Sequence, residues 1–326
     1  MPRKLTDSLG CPLTELIQRE YFLKETGKPL KLVEHQERIL SHCFTPRSDG
    51  TLPYTTIVYS APKKSGKTEI GGAITYASCR LYGGDAISVA NDEEQAESRM
   101  FRRVAETLRM MKLKSPKVFG AILDEAHWER IVKNGIITFA DDKQLNPGPH
   151  VLRYIANDYA GEAGAMNALV LFDELWAIAG ERGMRLWTEL QPIPTLPVSI
   201  RVVTTYAGFY GESELLWGLY EGVVQPDPHT DEPMGQRVEG LEDLPCYRLG
   251  RTFIYWDHEA RMPWHTPIFL EEARSDPSVK GRESEFRRLW ENRWTTGQEA
   301  FLDINVIDRR MAEGKEMGLM NHLAGW

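Results

Sequence analysis

Cysteine, long apolar runs, internal repeats and an excess of positive charge are all scarce or missing in this 326-residue sequence. The four cysteines lie far apart without a C-x-x-C spacing, so neither a zinc site nor a disulfide framework is indicated. The stretch 73–90 comes nearest to a membrane span, but Arg80 and Asp85 interrupt it. With a net charge of −8, no overall field attracts nucleic acid, and any DNA contact would be local.

The N-terminal residues, MPRKLTDSLGCPLTEL, include basic side chains but lack the apolar core of a secretory signal. The composition, 42% hydrophobic and 26% charged, is typical of a globular protein rather than a disordered one. We therefore expect a soluble, intracellular protein that is not associated with a membrane.

Short β-branched runs alternate with amphipathic helical stretches, which predicts an α/β fold with a mostly parallel sheet flanked by helices. The run ALVLF is apolar throughout, as expected for a central strand buried on both faces. The predicted strands are 54–60, 86–90, 136–140, 151–156, 168–172 and 199–205, with 252–256 as a candidate last strand. A helix is predicted over 97–112, because Met100, Val104, Leu108 and Met111 recur at helical spacing.

Residues 222–250 are rich in proline, glycine and acidic side chains, which predicts a long excursion or linker. After it, helices are predicted over 267–273, 282–294 and 302–316. We expect an α/β domain over 1–260, with a helical lead-in over about 1–50, and a small helical appendage over 261–326.

The most informative segment is a strand, the loop APKKSGKT and a helix, in that order. The loop matches the phosphate-binding pattern G-x-x-x-x-G-K-[ST] except at its first position, Ala61. Gly66 allows the backbone to turn its N–H groups towards phosphates at the positive end of the helix. Lys67 would neutralise the β- and γ-phosphates, and Thr68 would offer its hydroxyl to Mg²⁺. The predicted phosphate-binding residues are Ala61, Pro62, Lys63, Lys64, Ser65, Gly66, Lys67 and Thr68.

A nucleotide hydrolase of this class also needs an acidic pair at the end of a second strand. Both LVLFDE and ILDEAH contain such a pair, but only LVLFDE follows a full apolar strand. We assign Asp173 to Mg²⁺ and Glu174 to the general base, and interpret 124–127 as a charged helix start. Farther along, RVVTTYAG places the hydroxyls of Thr204 and Thr205 at another strand end, where they could sense the γ-phosphate and relay its hydrolysis.

The order of these motifs resembles the large terminase subunit of tailed bacteriophages, the ATPase that drives DNA into procapsids. The matching segments are LVEHQERIL, SAPKKSGKTE, SVANDEEQAESRMF, LVLFDELW and VVTTYAG, and EFRRLWENRW resembles the segment that leaves the ATPase domain in that family. The resemblance covers most of 30–300. A basic pair in a phosphate loop without its first glycine is typical of this family.

The resemblance implies an additional-strand, RecA-like P-loop NTPase that uses ATP and Mg²⁺. It makes Gln36 the adenine contact and Thr204 and Thr205 the coupling motif, and it supports the roles given above to Lys67, Thr68, Asp173 and Glu174. It also implies double-stranded DNA, a portal protein and a small terminase subunit as partners, a homo-oligomeric ring (commonly a pentamer), and a location in the host cell cytoplasm.

The sequence departs from the family after Trp294, where too few residues remain for the usual nuclease domain. Asp303 and Asp308 are more simply explained as helix carboxylates, and we expect no nuclease activity from this chain. Three other interpretations stay open: a helicase-like nucleic-acid-stimulated ATPase, a nucleotide-dependent assembly switch and a small-molecule kinase.

Two further roles are less defined by the sequence. The candidates for an arginine finger are Arg99, Arg102, Arg103, Arg153, Arg182 and Arg185, and none is singled out. The stretch 99–117 is the preferred DNA-facing or subunit-facing patch, because its basic residues outnumber the acidic ones. An ordinary amphipathic helix is an equally good interpretation of that stretch.

Overall fold

The computed structural model describes residues 11–91, 100–120, 136–139, 150–155, 166–226, 230, 232–277, 279, 282–297 and 310. Its helices are α1 (Pro12–Glu20), α2 (Glu34–Phe44), α3 (Lys67–Leu81), α4 (Arg102–Lys114), α5 (Pro116–Gly120), α6 (Gly180–Glu189), α7 (Glu214–Val223), α8 (Pro267–Ser275) and α9 (Glu283–Trp290), with a 3₁₀ turn at Leu175–Ala177. Its strands are β1 (Thr56–Ser60), β2 (Asp85–Val89), β3 (Ile136–Phe139), β4 (His150–Ile155), β5 (Asn167–Asp173), β6 (Ile200–Thr205), β7 (Phe209–Tyr210), β8 (Gln236–Arg237), β9 (Cys246–Leu249), β10 (Thr252–Trp256) and β11 (Thr295–Thr296).

Within these residues one sheet has the strand order β3-β4-β2-β5-β6-β1-β10-β9-β8. The six strands from β4 to β10 in this order run parallel, while β3, β9 and β8 pair antiparallel at the two edges. The predicted mostly parallel sheet is confirmed, and each predicted strand is present. β1 and β5 are buried along their whole length, as expected for central strands covered on both faces.

Helices cover both faces of the sheet. The larger core joins α1 to α4 to one face, and it contains Tyr21, Phe44 and Ile70. The smaller core joins α6 and α7 to the other face around Phe172 and Trp256. The helix predicted over 97–112 is confirmed over Arg102–Lys114, where the residues at helical spacing are buried; positions 97–99 lie outside the described residues.

The linker predicted over 222–250 is wrong in part, at 222–223, 236–237 and 246–249. α7 continues to Val223, and β8 and β9 then extend the sheet by pairing next to β10. Proline and glycine favoured a loop, but backbone hydrogen bonds to a formed sheet edge stabilise short strands regardless of local propensity. The helix predicted over 282–294 also ends early, because it stops at Trp290 and Asn292 adopts a left-handed backbone with φ +50°.

The segment after residue 260 packs against the parallel sheet and the predicted phosphate loop. The Lys63 amide donates to the Leu289 carbonyl at 2.6 Å, and Trp294 stacks on Trp256 with centroids 5.8 Å apart. The domain boundary at 260 stays a prediction, and nearly all of the helix predicted over 302–316 lies outside the described residues.

In the part of the chain that the structure describes, no helix has both the length and the apolar character needed to cross a membrane.

Candidate active site

The predicted phosphate loop connects β1 to α3, at the carboxyl end of the sheet. Gly66 precedes α3 with φ +74°, in the left-handed region that glycine adopts without strain. Lys64 also has a positive φ, of 67°, and its carbonyl accepts a hydrogen bond from the Trp264 indole at 3.0 Å. The predicted order of strand, loop and helix is therefore confirmed, and phosphate binding by this loop stays a prediction.

Lys67 is buried at the first position of α3, with its side chain folded back over the loop. Its ammonium donates to the carbonyls of Ala61 and Pro62 at 2.9 and 3.0 Å. Burial lowers the pKa of Lys67, and the nearby carboxylates of Glu174 and Asp173 partly oppose that shift. The lysine and the acidic pair, far apart in the sequence, thus share one electrostatic environment.

The acidic pair lies where β5 ends beside β6. Asp173 is almost fully buried, and its Oδ1 accepts a hydrogen bond from the Thr204 hydroxyl at 2.9 Å. Glu174 has φ +54°, and its amide donates to the Thr204 carbonyl at 2.7 Å. Its carboxylate Oε2 accepts from the Trp176 indole at 2.7 Å. Backbone strain of this kind is stored preferentially at functional sites.

The two threonines at the end of β6 have different partners, although both are fully buried. Thr204 contacts Asp173, as described above. The Thr205 hydroxyl instead donates to the Tyr206 carbonyl at 3.0 Å, and the Thr205 carbonyl accepts from the Ala61 amide at 3.3 Å. Thr204 is therefore tied to the acidic pair, whereas Thr205 is tied to the start of the phosphate loop.

Gln36 supports the phosphate loop from α2. Its Nε2 is 3.4 Å from the Ser65 carbonyl and 3.7 Å from the Met262 sulfur, and its Oε1 accepts from the Val33 amide. The side chain is only 3% exposed, and both its amide nitrogen and its amide oxygen contact other protein groups. Its predicted contact with adenine stays a prediction.

The donor set at these strand ends suits a magnesium nucleotide. Asp173 supplies a carboxylate and Thr68, half-buried in the first turn of α3, supplies a hydroxyl, both hard oxygen ligands of the kind Mg²⁺ binds. Among the described residues no group of three or more His, Cys, Asp or Glu side chains could hold a metal by itself. A bound Mg²⁺ would share these oxygens with the phosphates of the nucleotide.

Four residues beside the predicted site were not assigned any role from the sequence: Trp176, Tyr206, Arg288 and Asn292. The Lys67 ammonium lies 4.9 Å from the centre of the Tyr206 ring. The Arg288 guanidinium lies over the rings of both Trp176 and Tyr206. All four residues fall in segments quoted above for the family resemblance, LVLFDELW, VVTTYAG and EFRRLWENRW, which was the only available indication of them.

Two of the candidate arginine fingers, Arg102 and Arg103, form ion pairs with acidic neighbours, and the choice among the six candidates stays a prediction. Arg103 pairs with Glu69 at 2.8 Å and with Glu25 at 3.1 Å, and Arg102 pairs with Glu106 at 3.4 Å. Two of the six basic residues described in this stretch thus have acidic partners, and its role as a DNA-facing patch or as an ordinary amphipathic helix stays a prediction. Arg99 and the alternative acidic motif at 124–127 lie outside the described residues.

No protein-family model matches the sequence, and no curated protein matches it either. Solved structures do match by fold. The large terminase of bacteriophage HK97 superposes with a TM-score of 0.54 at 16% identity, over 87% of this chain and 55% of the terminase chain. A variant of the Thermus phage P74-26 large terminase ATPase domain superposes with a TM-score of 0.50 at 16% identity, over 81% of this chain and 100% of that domain.

At these identities the likeness shows a shared fold. The chain has the P-loop NTPase fold of the large terminase ATPase domains, and it spans little more than half of the HK97 terminase chain.

Proposed function

We propose that this chain is the Mg²⁺-dependent ATPase motor of a phage DNA-packaging terminase, acting on double-stranded DNA in the host cell cytoplasm. The observation that carries the proposal is the placement of Lys67 at the start of α3, after β1, and of Asp173 and Glu174 at the end of β5, since β1 and β5 both pair in parallel with β6. Both carboxylates act electrostatically on the Lys67 ammonium. The fold shared with two large terminase ATPase structures supports it. The portal protein, the small terminase subunit and a homo-oligomeric, pentameric ring belong to the same proposal.

The residues of the site would divide the work of ATP hydrolysis among them. The loop amides and Lys67 bind the phosphates, which requires the ammonium to exchange its contacts with Ala61 and Pro62 for phosphate oxygens. Thr68 and Asp173 would hold Mg²⁺, which neutralises charge on the phosphates. Glu174 orients the attacking water and accepts its proton. Thr204 keeps Asp173 oriented through its hydroxyl.

Replacing Glu174 by Gln tests the assignment of the base. The amide keeps the size of the side chain but cannot accept a proton from water, so we expect ATP turnover to fall by about 10²-fold or more, while ATP binding persists. Glu181→Gln, which changes an exposed glutamate of α6, serves as the matched control and should keep full turnover. Steady-state ATPase assays and binding of a fluorescent ATP analogue would measure both quantities.

Unchanged turnover in Glu174→Gln would refute the assigned base. The paired change Asp124→Asn with Glu125→Gln tests the alternative motif, and it should leave hydrolysis largely intact. If that double variant loses Mg²⁺-dependent turnover while Glu174→Gln stays active, then Asp124 and Glu125, and not Asp173 and Glu174, are the catalytic acidic pair.

A further inference from the structure

Arg288, in α9, is a buried cation surrounded by aromatic rings. Its guanidinium carbon lies 4.7 Å from the centre of the Trp176 ring, 5.2 Å from that of Tyr206 and 4.3 Å from that of Phe209. The residue is only 6% exposed. The aromatic cage, defined as Trp176, Tyr206 and Phe209, therefore holds the guanidinium through cation–π contacts, which strengthen when water is excluded.

The hydrogen bonds of Arg288 are incomplete. Nη2 donates to Glu285 one turn away at 3.1 Å, whereas Nε and Nη1 have no hydrogen-bond partner in the described part of the chain. A buried donor without a partner destabilises the folded protein. A leucine or methionine could fill this space without that cost, so packing alone does not explain the arginine.

Two rings of the aromatic cage contact the proposed catalytic groups. The Trp176 indole donates to the Glu174 carboxylate at 2.7 Å. The Tyr206 ring faces the Lys67 ammonium at 4.9 Å. α9 also contacts the phosphate loop directly, because the Leu289 carbonyl accepts from the Lys63 amide. Arg288 is thus one side chain removed from the carboxylate and from the lysine.

We propose that Arg288 is a positioning residue for Glu174, acting through Trp176. Its charge fixes the plane of the indole ring, and the indole N–H in turn fixes the Glu174 carboxylate, whose backbone is already held at φ +54°. The inference rests on the proposed ATPase function and adds α9 to the machinery that sets the general base.

Arg288→Met tests this role, because methionine fills the cage without the charge. A misoriented catalytic group costs on the order of ten- to a hundredfold in rate, and we expect kcat to fall within that range. The KM for ATP should stay within about twofold, because the phosphate contacts are unchanged. Arg288→Lys keeps the charge without the planar stack and should give an intermediate kcat. Arg287→Met, the adjacent and more exposed arginine of α9, is the matched control and should behave as the unmodified protein.

A double-mutant cycle with Trp176→Phe separates positioning from general packing. Phenylalanine retains a ring beside Arg288 but has no N–H for Glu174, so we expect Trp176→Phe to lower kcat about as far as Arg288→Met does. In the Trp176→Phe background, Arg288→Met should lower kcat no further, because the connection to Glu174 is already removed. A structural role would instead make the two losses multiply.

Each outcome bears on the inference. An unchanged kcat in Arg288→Met, or multiplicative losses in the double variant, would overturn it. If Arg288→Met does not melt cooperatively, the same cycle is measured with Arg288→Lys, for which the same non-additivity is expected. An active Glu174→Gln variant would show that the proposed base is wrong. An inactive Glu174→Gln beside fully active Arg288 variants would overturn the role of Arg288 alone.

Discussion

At the scale of single residues, adjacent hydroxyls at the end of β6 have separate tasks. Thr204 orients a carboxylate that would bind Mg²⁺, and Thr205 donates to a backbone carbonyl. Removing the partner of a metal ligand typically costs about 10–100-fold in metal affinity. We therefore expect Thr204→Val to raise the Mg²⁺ concentration for half-maximal ATP hydrolysis by about tenfold or more.

Thr205→Val is the comparison for this experiment, because it removes the neighbouring buried hydroxyl and replaces threonine by a side chain of the same shape. Its main effect should be on stability, with a loss of about 1 kcal/mol in the free energy of unfolding. A magnesium titration of ATPase activity distinguishes the two variants. Equal shifts in both would contradict the assignment of Thr204 to Asp173.

Asn292 joins the ends of three parallel strands. Its Nδ2 donates to the Ser60 hydroxyl and to the Asp257 carbonyl, both at 2.9 Å, and its Oδ1 accepts from the Ala207 amide at 2.6 Å. These partners follow or end β1, β6 and β10, and Asn292 itself is fully buried. One side chain after α9 thus ties the ends of β1 and β6, which contribute to the candidate site, to the end of β10.

Replacing Asn292 by Ala should lower the free energy of unfolding by about 2–4 kcal/mol, because it leaves several buried polar groups unpaired. Asn292→Gly loses the same hydrogen bonds but relieves the left-handed backbone, and should be about 1 kcal/mol more stable than the alanine variant. Urea unfolding measures both. A loss below the error of that measurement in Asn292→Ala would show that the hydrogen bonds are replaced by water.

At the scale of elements, α3 depends on close contacts at two consecutive glycines. A Cβ at Gly72 would lie 2.5 Å from the Tyr21 hydroxyl oxygen and 3.0 Å from the Arg103 Cβ. A Cβ at Gly71 would clash with the thioether end of Met100, which is flexible, and would lie 3.3 Å from Thr204. α1 and α4 can therefore approach α3 only where a side chain is missing.

Glycine to alanine in a helix normally stabilises by about 1 kcal/mol. For Gly72→Ala we expect the opposite sign, a loss of about 1–3 kcal/mol, because the Tyr21 ring and the start of the Arg103 side chain must move. Gly71→Ala should cost less, since the end of Met100 can rotate. Thermal and urea unfolding of the two variants test the order, and a stabilised Gly72→Ala would contradict the packing described for α3.

Some of these elements can be predicted from the sequence because a local residue pattern stabilises them. Others cannot, because they are stabilised by contacts with residues far away in the sequence. β5 can be predicted because its segment ALVLF is apolar throughout, as full burial requires, and β1 because its run is rich in β-branched residues. β8 and β9 were missed, since they are stabilised by pairing next to β10 rather than by their own residues. Short edge strands of this kind have little local pattern.

The same distinction applies to the candidate site. Lys67 and Glu174 could be predicted, because the phosphate loop and the acidic strand end are local patterns with a fixed chemical purpose. Arg288 and Asn292 could not be assigned a role, since their partners lie on distant segments. Gln36 was predicted at the site, but its contacts with Ser65 and Met262 emerge only from the fold.

At the scale of the whole molecule, histidines link stability to pH. Burial lowers the pKa of His35, His42, His258 and His265 below the usual value. The four lie on α2 and in the loops after β10, so they report on the packing of both segments against the sheet. By contrast, the Arg38 guanidinium lowers the pKa of Asp243 to about 2, far below the range in which histidine titrates.

The sign of the pH dependence follows from these shifts. Below a pH of about 6.5 the four histidines bind protons more readily in the unfolded chain than in the folded chain. The folded state therefore loses stability as the pH falls. Because several of these side chains are half-buried, solvent weakens the effect. We expect the free energy of unfolding to fall as the pH is lowered from 7.5 to 5.5.

Urea unfolding at a series of pH values measures this slope. Carboxylates with ordinary pKa values near 4 contribute little in this window, whereas burial raises the pKa of Glu69, which would oppose the effect of the histidines. The variant His35→Gln should show a smaller slope than the unmodified protein, because glutamine cannot take up the proton, while its stability at pH 7.5 should change little. A constant stability over this range would mean that the histidine pKa values are the same in the folded and the unfolded chain, and a stability that rises on acidification would mean that they are raised in the folded chain.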